Sequence, residues 1–211
     1  NHEDAYLFGL LIGDGYYGSF GKSPTVSSND PTVIEYLNSK YNCHTKKQFI
    51  QKNGNVYNEI LLSYNDLIPK LKEAGMLGQS KQAKRLPENR NTYTKEAVCN
   101  LLAGYFDADG NVSKVGNGKI VYTSIVFELL EEVKHELLKL GIHSSIVKEN
   151  RNTPPQDEYK GQQKHIFRLY ISKRQDIELF KLHIPIKSKH KIANIDSILL
   201  KPTNRRFNLI D

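Results

Sequence analysis

Residues 7–15, LFGLLIGDG, decide the fold, because the chain writes this stretch twice. It returns at 102–110 as LAGYFDADG. With no gap, a central glycine (Gly9, Gly104), an apolar run and a closing Asp-Gly (Asp14-Gly15, Asp109-Gly110) coincide. Gly9 and Gly13 are four apart, as are Gly104 and Ala108, and residues at that spacing share one helix face. Glycine inside a helix costs roughly 0.5–1 kcal/mol relative to alanine. A small-residue face repeated in both copies therefore predicts close backbone approach. The simplest partner is the other copy, packed across a pseudo-twofold axis.

The flanks repeat in the same order. After the first motif, 16–20 and 25–28 read as strands, and Asp30-Pro31 starts a helix over about 32–41. Strands at 46–51 and 56–64 flank Asn53-Gly54, a hairpin signal. Asn65 or Asp66 caps a helix at 67–74, closed by Gly75. A basic segment, 79–86, precedes Pro87. The second pass gives a helix at 95–108 and strands at 112–115 and 119–123. An amphipathic helix at 127–140 stops at Gly141, and strands at 146–151 and 165–172 follow. Short helices at 176–182 and 192–200 flank a basic segment at 186–191. Gly15 and Gly110 are read as the helix stops, with Gly15 in the left-handed conformation. Ser27-Ser28 maps to Thr123-Ser124, and Ser80-Lys81 to Ser188-Lys189, the offset jumping across the polar stretch 152–164. A unit this long, repeated only twice, is a duplicated domain rather than a solenoid. The division is 1–87, a linker at 88–94, and 95–211.

The 211 residues carry a net charge of +7, with 38% hydrophobic and 25% charged residues. That is a folded composition rather than a disordered one. The positive surplus favours a polyanionic partner, and it is shared by both halves. Two cysteines, Cys43 and Cys99, lack metal-ligand spacing. They read as buried free thiols in a reducing compartment, hence an intracellular and not a secreted protein, cytoplasmic or organellar. The apolar runs fall well short of the ~20 residues of a membrane span, and no signal peptide is visible.

The closing aspartates resist a purely structural reading. A carboxylate at a helix C-terminus is disfavoured by about 0.3–1 kcal/mol. Paired helices would also bring Asp14 and Asp109 together, and two like charges about 4 Å apart repel by roughly 4 kcal/mol at an effective dielectric near 20. A divalent cation resolves the conflict. Mg²⁺ accepts few carboxylates and keeps positions open for phosphate oxygens and water. Two carboxylates presenting metal to a polyanion suit metal-assisted phosphodiester hydrolysis. Asp107 has Ile12 as its counterpart, so a role shared by both halves cannot require it. It reads as a local hydrogen-bonding or capping group.

LFGLLIGDG and LAGYFDADG resemble the LAGLIDADG motif, and the whole chain resembles a two-motif, monomeric LAGLIDADG homing endonuclease. The first motif departs at Ile12-Gly13 but keeps Gly9 and Asp14. The resemblance implies an α+β fold of duplicated αββαββα units about paired motif helices, with two antiparallel sheets forming a saddle on double-stranded DNA. It implies Asp14 and Asp109 as catalytic metal ligands, with the backbone at Gly13 and Ala108 beside them. The metal would be Mg²⁺, with Ca²⁺ or Mn²⁺ able to substitute in binding or cleavage. Each strand would be cut once, leaving short 3′ overhangs. Basic residues near the metals are part of the same pattern. Lys81 and Lys189 are the candidates, with Lys187 a competitor to Lys189.

Base reading from strands in the major groove needs polar side chains. The first half offers Ser19, Lys22, Thr25, Ser27, Lys46, Gln48, Gln51, Asn55, Tyr57 and Asn58. The second offers Ser113, Lys119, Tyr122, Lys148, Asn150, Arg151, Lys164 and Arg168. Because the halves differ at these positions, the expected target is asymmetric. The same fold serves two other readings, an RNA maturase and a non-catalytic DNA-binding regulator. Retention of both aspartates favours cleavage. A glycosidase is disfavoured by the basic charge and the absence of Trp. No splice-junction residues open or close the sequence, so no splicing domain is expected within it, although a parent intein or intron reading frame fits.

Overall fold

A computed structural model describes residues 3–50, 56–150 and 165–201. The hairpin turn at 53–54 and the 152–164 stretch lie outside the described residues, as do Gln51, Asn55, Arg151 and Lys164. Helix α1 (Ala5–Asp14) leads into β1 (Gly15–Tyr16) and β2 (Thr25–Ser28). Helix α2 (Pro31–Lys40), strands β3 (Cys43–Ile50) and β4 (Val56–Leu62) and helix α3 (Tyr64–Glu73) complete the first unit. The second unit runs α4 (Lys95–Asp109), β5 (Asn111–Ser113), β6 (Lys119–Ser124), α5 (Phe127–Lys139), β7 (Ser145–Asn150), β8 (His165–Ile171), α6 (Arg174–His183) and α7 (Lys189–Leu199). The architecture is α+β with two four-stranded antiparallel sheets. Their strand orders, β1-β2-β4-β3 and β5-β6-β8-β7, are the same permutation.

Local chemistry accounts for most boundaries. Asp30 caps α2 by accepting from the Thr32 amide at 2.9 Å, with Pro31 at the first helical position. Thr94 caps α4 by accepting from the Ala97 amide at 3.2 Å. Gly75 and Gly141 take the left-handed conformation (φ 67° and 78°) just after α3 and α5. Helix α3 begins earlier than expected, at Tyr64, with Ser63 in the cap position. Helix α7 also begins early, at Lys189 inside the basic segment, whereas the corresponding 79–87 stretch forms no α-helix.

Helix α1 is apolar all round and buried all round, from Ala5 to Ile12, each 6% exposed or less. Such a helix belongs in a core centre. Its main neighbour is α4, and the two sheets pack their apolar faces over this pair. In the second sheet the inner face is Ile120, Tyr122, Leu169 and Ile171, all fully buried. The expected linker is a 3-10 turn, Glu88–Thr92, docked on α5. Arg90 pairs with Glu132 at 3.4 Å and Glu136 at 3.5 Å, and the Leu86 amide donates to Glu132 at 2.9 Å. Cys43 and Cys99 are free thiols, half-buried and buried, each with its pKa pushed up by burial. No helix among the described residues is long and apolar enough to cross a membrane.

Candidate functional site

The motif helices meet through their glycines. A β-carbon on Gly9 would overlap the Leu101 carbonyl and the Tyr105 amide of α4. One on Gly104 would overlap the Tyr6 carbonyl of α1 and come within 3.1 Å of the Leu10 amide. Leu101 and Tyr6 each precede a glycine by three positions, and Tyr105 and Leu10 each follow one by one. Residue i meets j and j meets i, which is the mark of a twofold interface. One turn further on, Gly13 faces its own counterpart, Ala108. The next residue in each helix is the closing aspartate, so Asp14 and Asp109 emerge side by side.

Gly15 and Gly110 correct one expectation. Both are extended, with φ −110° and −77°, not left-handed. Space, not backbone handedness, requires glycine here. A β-carbon would collide with Leu11 at the first position and with Phe106 at the second.

Both aspartates keep a solvent-exposed face, yet the surrounding protein crowds them. Loss of hydration pushes the Asp109 carboxyl up to about 6, and the Asp14 charge adds to that rise. Lys84, Lys191 and Lys81 oppose it. Asp14 is raised as well, chiefly by desolvation, against Lys191, Lys84 and Lys81. The pair is thus an anionic centre held among three lysines.

Two of those lysines were not among the expected site residues. The Lys84 ammonium donates to the carbonyls of Leu11 (3.0 Å), Ile12 (2.8 Å), Gly13 (3.3 Å) and Gly15 (3.0 Å). Lys191 donates to the carbonyls of Phe106 (2.7 Å) and Asp107 (2.8 Å). Leu11 and Phe106 are equivalent in the repeat, as are Ile12 and Asp107. Lys84 and Lys191 are therefore counterparts. They put a cation on the last carbonyls at each helix C-terminus, where the macrodipole favours one. Burial lowers the Lys84 pKa to about 8 and also depresses that of Lys191.

Matching Ser80-Lys81 with Ser188-Lys189 is thus one residue out of register, because α7 is helical where 79–87 is not. Lys189 is exposed at the start of α7. Lys81 is exposed too, but it lines two cavities at the helix ends. One contains Asp109, Thr123 and Ser124, the other Asp14, Ser27 and Gln79, and Lys84 lines both. Gly13 lines both cavities, and Ala108 packs against it.

Asp107 faces a different set of partners. It accepts from the Tyr6 hydroxyl at 2.6 Å and from the backbone amides of Lys187 (2.6 Å) and Ser188 (3.4 Å). The Lys187 ammonium lies over the Tyr6 and Tyr36 rings at 4.8 and 4.4 Å. The cluster latches the second half to the first.

The strand residues divide by pleat. On the outer face of the second sheet, Ser113, Lys119 and Arg168 line one cavity with Asn111, Thr123 and Tyr170. Lys119 sits over the Tyr170 ring at 5.0 Å, and Arg168 pairs with Glu149 at 3.3 Å. Tyr122 does not belong with them. Three residues from Lys119, it points to the other face, is fully buried and donates to the Leu102 carbonyl at 3.1 Å. Lys148 and Asn150 also fall on the helix-side register, paired with Phe167 and His165. In the first sheet Thr25, Ser27 and Tyr57 share the outer register with Glu59. Thr25 is only 9% exposed. Lys46, at a bulge, pairs with Glu59 at 3.5 Å. Gln48 donates to Asn58 at 2.7 Å on the opposite register. Ser19 and Lys22 close the first hairpin tip.

These elements define a duplicated domain with one acidic pair on its pseudo-twofold axis. Residues 96–185 match the family model described as a LAGLIDADG-like domain. That stretch covers most of the second half, which is thus similar to this family. It is 26% identical over 198 residues to a probable translation initiation factor IF-2 of Thermococcus kodakarensis, covering 93% of this chain and 15% of that protein. It is 28% identical over 214 residues to the ATP-dependent DNA helicase Hel308 of Methanocaldococcus jannaschii, covering 94% and 17%. The chain thus spans about a sixth of the length of these relatives. Among solved structures, the N-terminal LAGLIDADG domain of DUF199/WhiA shares the fold. Its TM-score is 0.54 at 15% identity, over 90% of this chain and 87% of that one.

Proposed function

We propose that the chain is a site-specific DNA endonuclease of the homing type. It hydrolyses one phosphodiester in each strand of a long asymmetric duplex site, with a divalent cation, and leaves short 3′ overhangs. The observation that carries this reading is the convergence of Asp14 and Asp109. Reciprocal glycine contacts hold two carboxylates together at a cost, since Asp14 raises the pKa of Asp109. A fold gains nothing from that repulsion, but a cation site does.

The donor set fits Mg²⁺. It offers two hard carboxylates beside open cavities, with the backbone at Gly13 and Ala108 next to them. Bound there, the cation supplies charge neutralisation and Lewis-acid polarisation at the phosphodiester. The residues of the chain do the rest. Asp14 and Asp109 fix the position where the two strands are cut. Lys81 lines both cavities and offers its charge to a phosphate. Lys84 and Lys191 hold the helix ends still and keep the local field positive enough for a polyanion to approach. The exposed polar faces of the two sheets supply a surface for the duplex on either side.

The relatives support a mobile element. A translation initiation factor and a DNA helicase are named for different functions, yet each contains a segment similar to nearly all of this chain. An element lodged in unrelated hosts has that distribution, and its place within protein sequences favours an intein-borne origin.

Cleavage selection from a randomised duplex library tests the reading, run with Mg²⁺, with Ca²⁺ and with EDTA. The expected result is a single enriched asymmetric site, cut in both strands with Mg²⁺ and not with EDTA. Asp14→Asn and Asp109→Asn each lose at least about 10²-fold in rate while still binding. Enrichment by binding alone, with no cleavage under any metal, would favour the regulator or maturase instead. A palindromic site would contradict two unequal halves.

A further inference from the structure

The tip of the first hairpin in each half carries a large exposed apolar residue. Phe20 is 99% exposed and Val115 82% exposed. They stand at the same offset as Asp14 and Asp109, so they are counterparts in the duplication. Each is followed by a glycine in the left-handed conformation, Gly21 (φ 71°) and Gly116 (φ 63°). A single exposed apolar side chain needs no explanation. The same exposure at symmetric positions calls for one.

Neither tip is loosely held. Ser19 and Lys22 bridge beneath Phe20, and the Gly21 amide donates to the Tyr64 hydroxyl at 3.2 Å. Around Val115, the Lys201 ammonium donates to the carbonyls of Lys114 (2.8 Å) and Gly116 (3.2 Å). Val115 also lines the cavity on the outer sheet face with Ser113, Lys119 and Arg168. Exposed lysines flank both tips, Lys22 on one side and Lys114 and Lys119 on the other. An apolar point set among cations suits a nucleic acid, whose thymine methyls are the apolar features of its major groove.

We propose that Phe20 and Val115 are a matched pair of apolar DNA contacts, each meeting thymine methyls on one flank of the cleavage centre. This rests on the endonuclease reading above. Six residues separate each tip from its aspartate, a reach of at most ~20 Å. At ~3.4 Å per base pair, the contacts fall within ~6 base pairs of the centre.

The test is binding selection from a randomised duplex library in Ca²⁺ with wild type, Phe20→Ser and Val115→Ser, all checked for unchanged melting temperature. Each variant should lose sequence preference on one flank only, and on opposite flanks. On the selected site, Phe20→Ser should weaken binding about tenfold or more and Val115→Ser about threefold. Replacing flank thymines by deoxyuridine should weaken wild-type binding on that flank and leave the matching variant unaffected. If wild type enriches no sequence, the endonuclease reading itself fails. If wild type enriches a site whose flanks neither variant alters, the apolar tips fail and that reading stands.

Discussion

The ends of α1 and α4 solve one problem in two ways. Both finish in an aspartate, both press a small residue against the other helix, and both have their last carbonyls taken by a lysine. They differ two residues earlier, at Ile12 and Asp107. Ile12 is plain core. Asp107 gathers Tyr6, Lys187 and Ser188 into a latch between the halves. The duplication has kept what the paired site needs at both ends and let one end take on the work of joining the halves. A feature present twice belongs to the shared chemistry, and a feature present once belongs to assembly.

The capping lysines give the largest test of that division. Lys84→Met and Lys191→Met strand buried helix-end carbonyls. Each should cost about 3–5 kcal/mol in denaturant unfolding. Lys84→Met should cost more, because Lys84 serves four carbonyls and Lys191 two. A negligible cost at either end would break the equivalence of the two ends. Asp107→Ala comes next. It leaves the Tyr6 hydroxyl and two amides unpaired, so unfolding should ease by about 2–4 kcal/mol. Cleavage per folded molecule should hold to within a few-fold, in contrast to Asp109→Asn. A collapse of cleavage at retained stability would move Asp107 into the reacting site.

The smallest effect is on pH. Asp109 titrates near about 6 in the folded chain, and only its carboxylate holds a cation. The cleavage rate should therefore fall below about pH 6, approaching tenfold per pH unit on that limb. The stability effect has the opposite sense. A carboxyl with a raised folded pKa binds more protons folded than unfolded, so its contribution is lost as pH climbs through 6. Asp109→Asn should thus melt above wild type in metal-free buffer at neutral pH, and the gap should close near pH 4.

The repeat itself was plain in the sequence. Gly9 with Gly104, Gly13 with Ala108, and the closing aspartates predict the helix pair, and the pair sets the rest of the architecture. Asp30-Pro31, Gly75 and Gly141 marked their boundaries through local backbone chemistry. The capping lysines were hidden because several lysines lie in each basic segment, and register across a coil and a helix cannot be counted by residue number. The available signal was the helix end, whose orphan carbonyls require a cation. Tyr122 was separable in principle, since residues three apart on a strand cannot share a face with Lys119. Gly15 departs from the left-handed stop that its dipeptide suggests, because crowding by Leu11 is a tertiary fact.

One thermal measurement reaches the centre of the account: melting of wild type, Asp14→Asn and Asp109→Asn at pH 7.5, in EDTA and in Mg²⁺. Two carboxylates forced together for a cation should make both variants melt above wild type in EDTA. Mg²⁺ should then raise the wild-type melting temperature and leave both variants where they were. Variants that melt at or below wild type in EDTA, with a wild type indifferent to Mg²⁺, would contradict it.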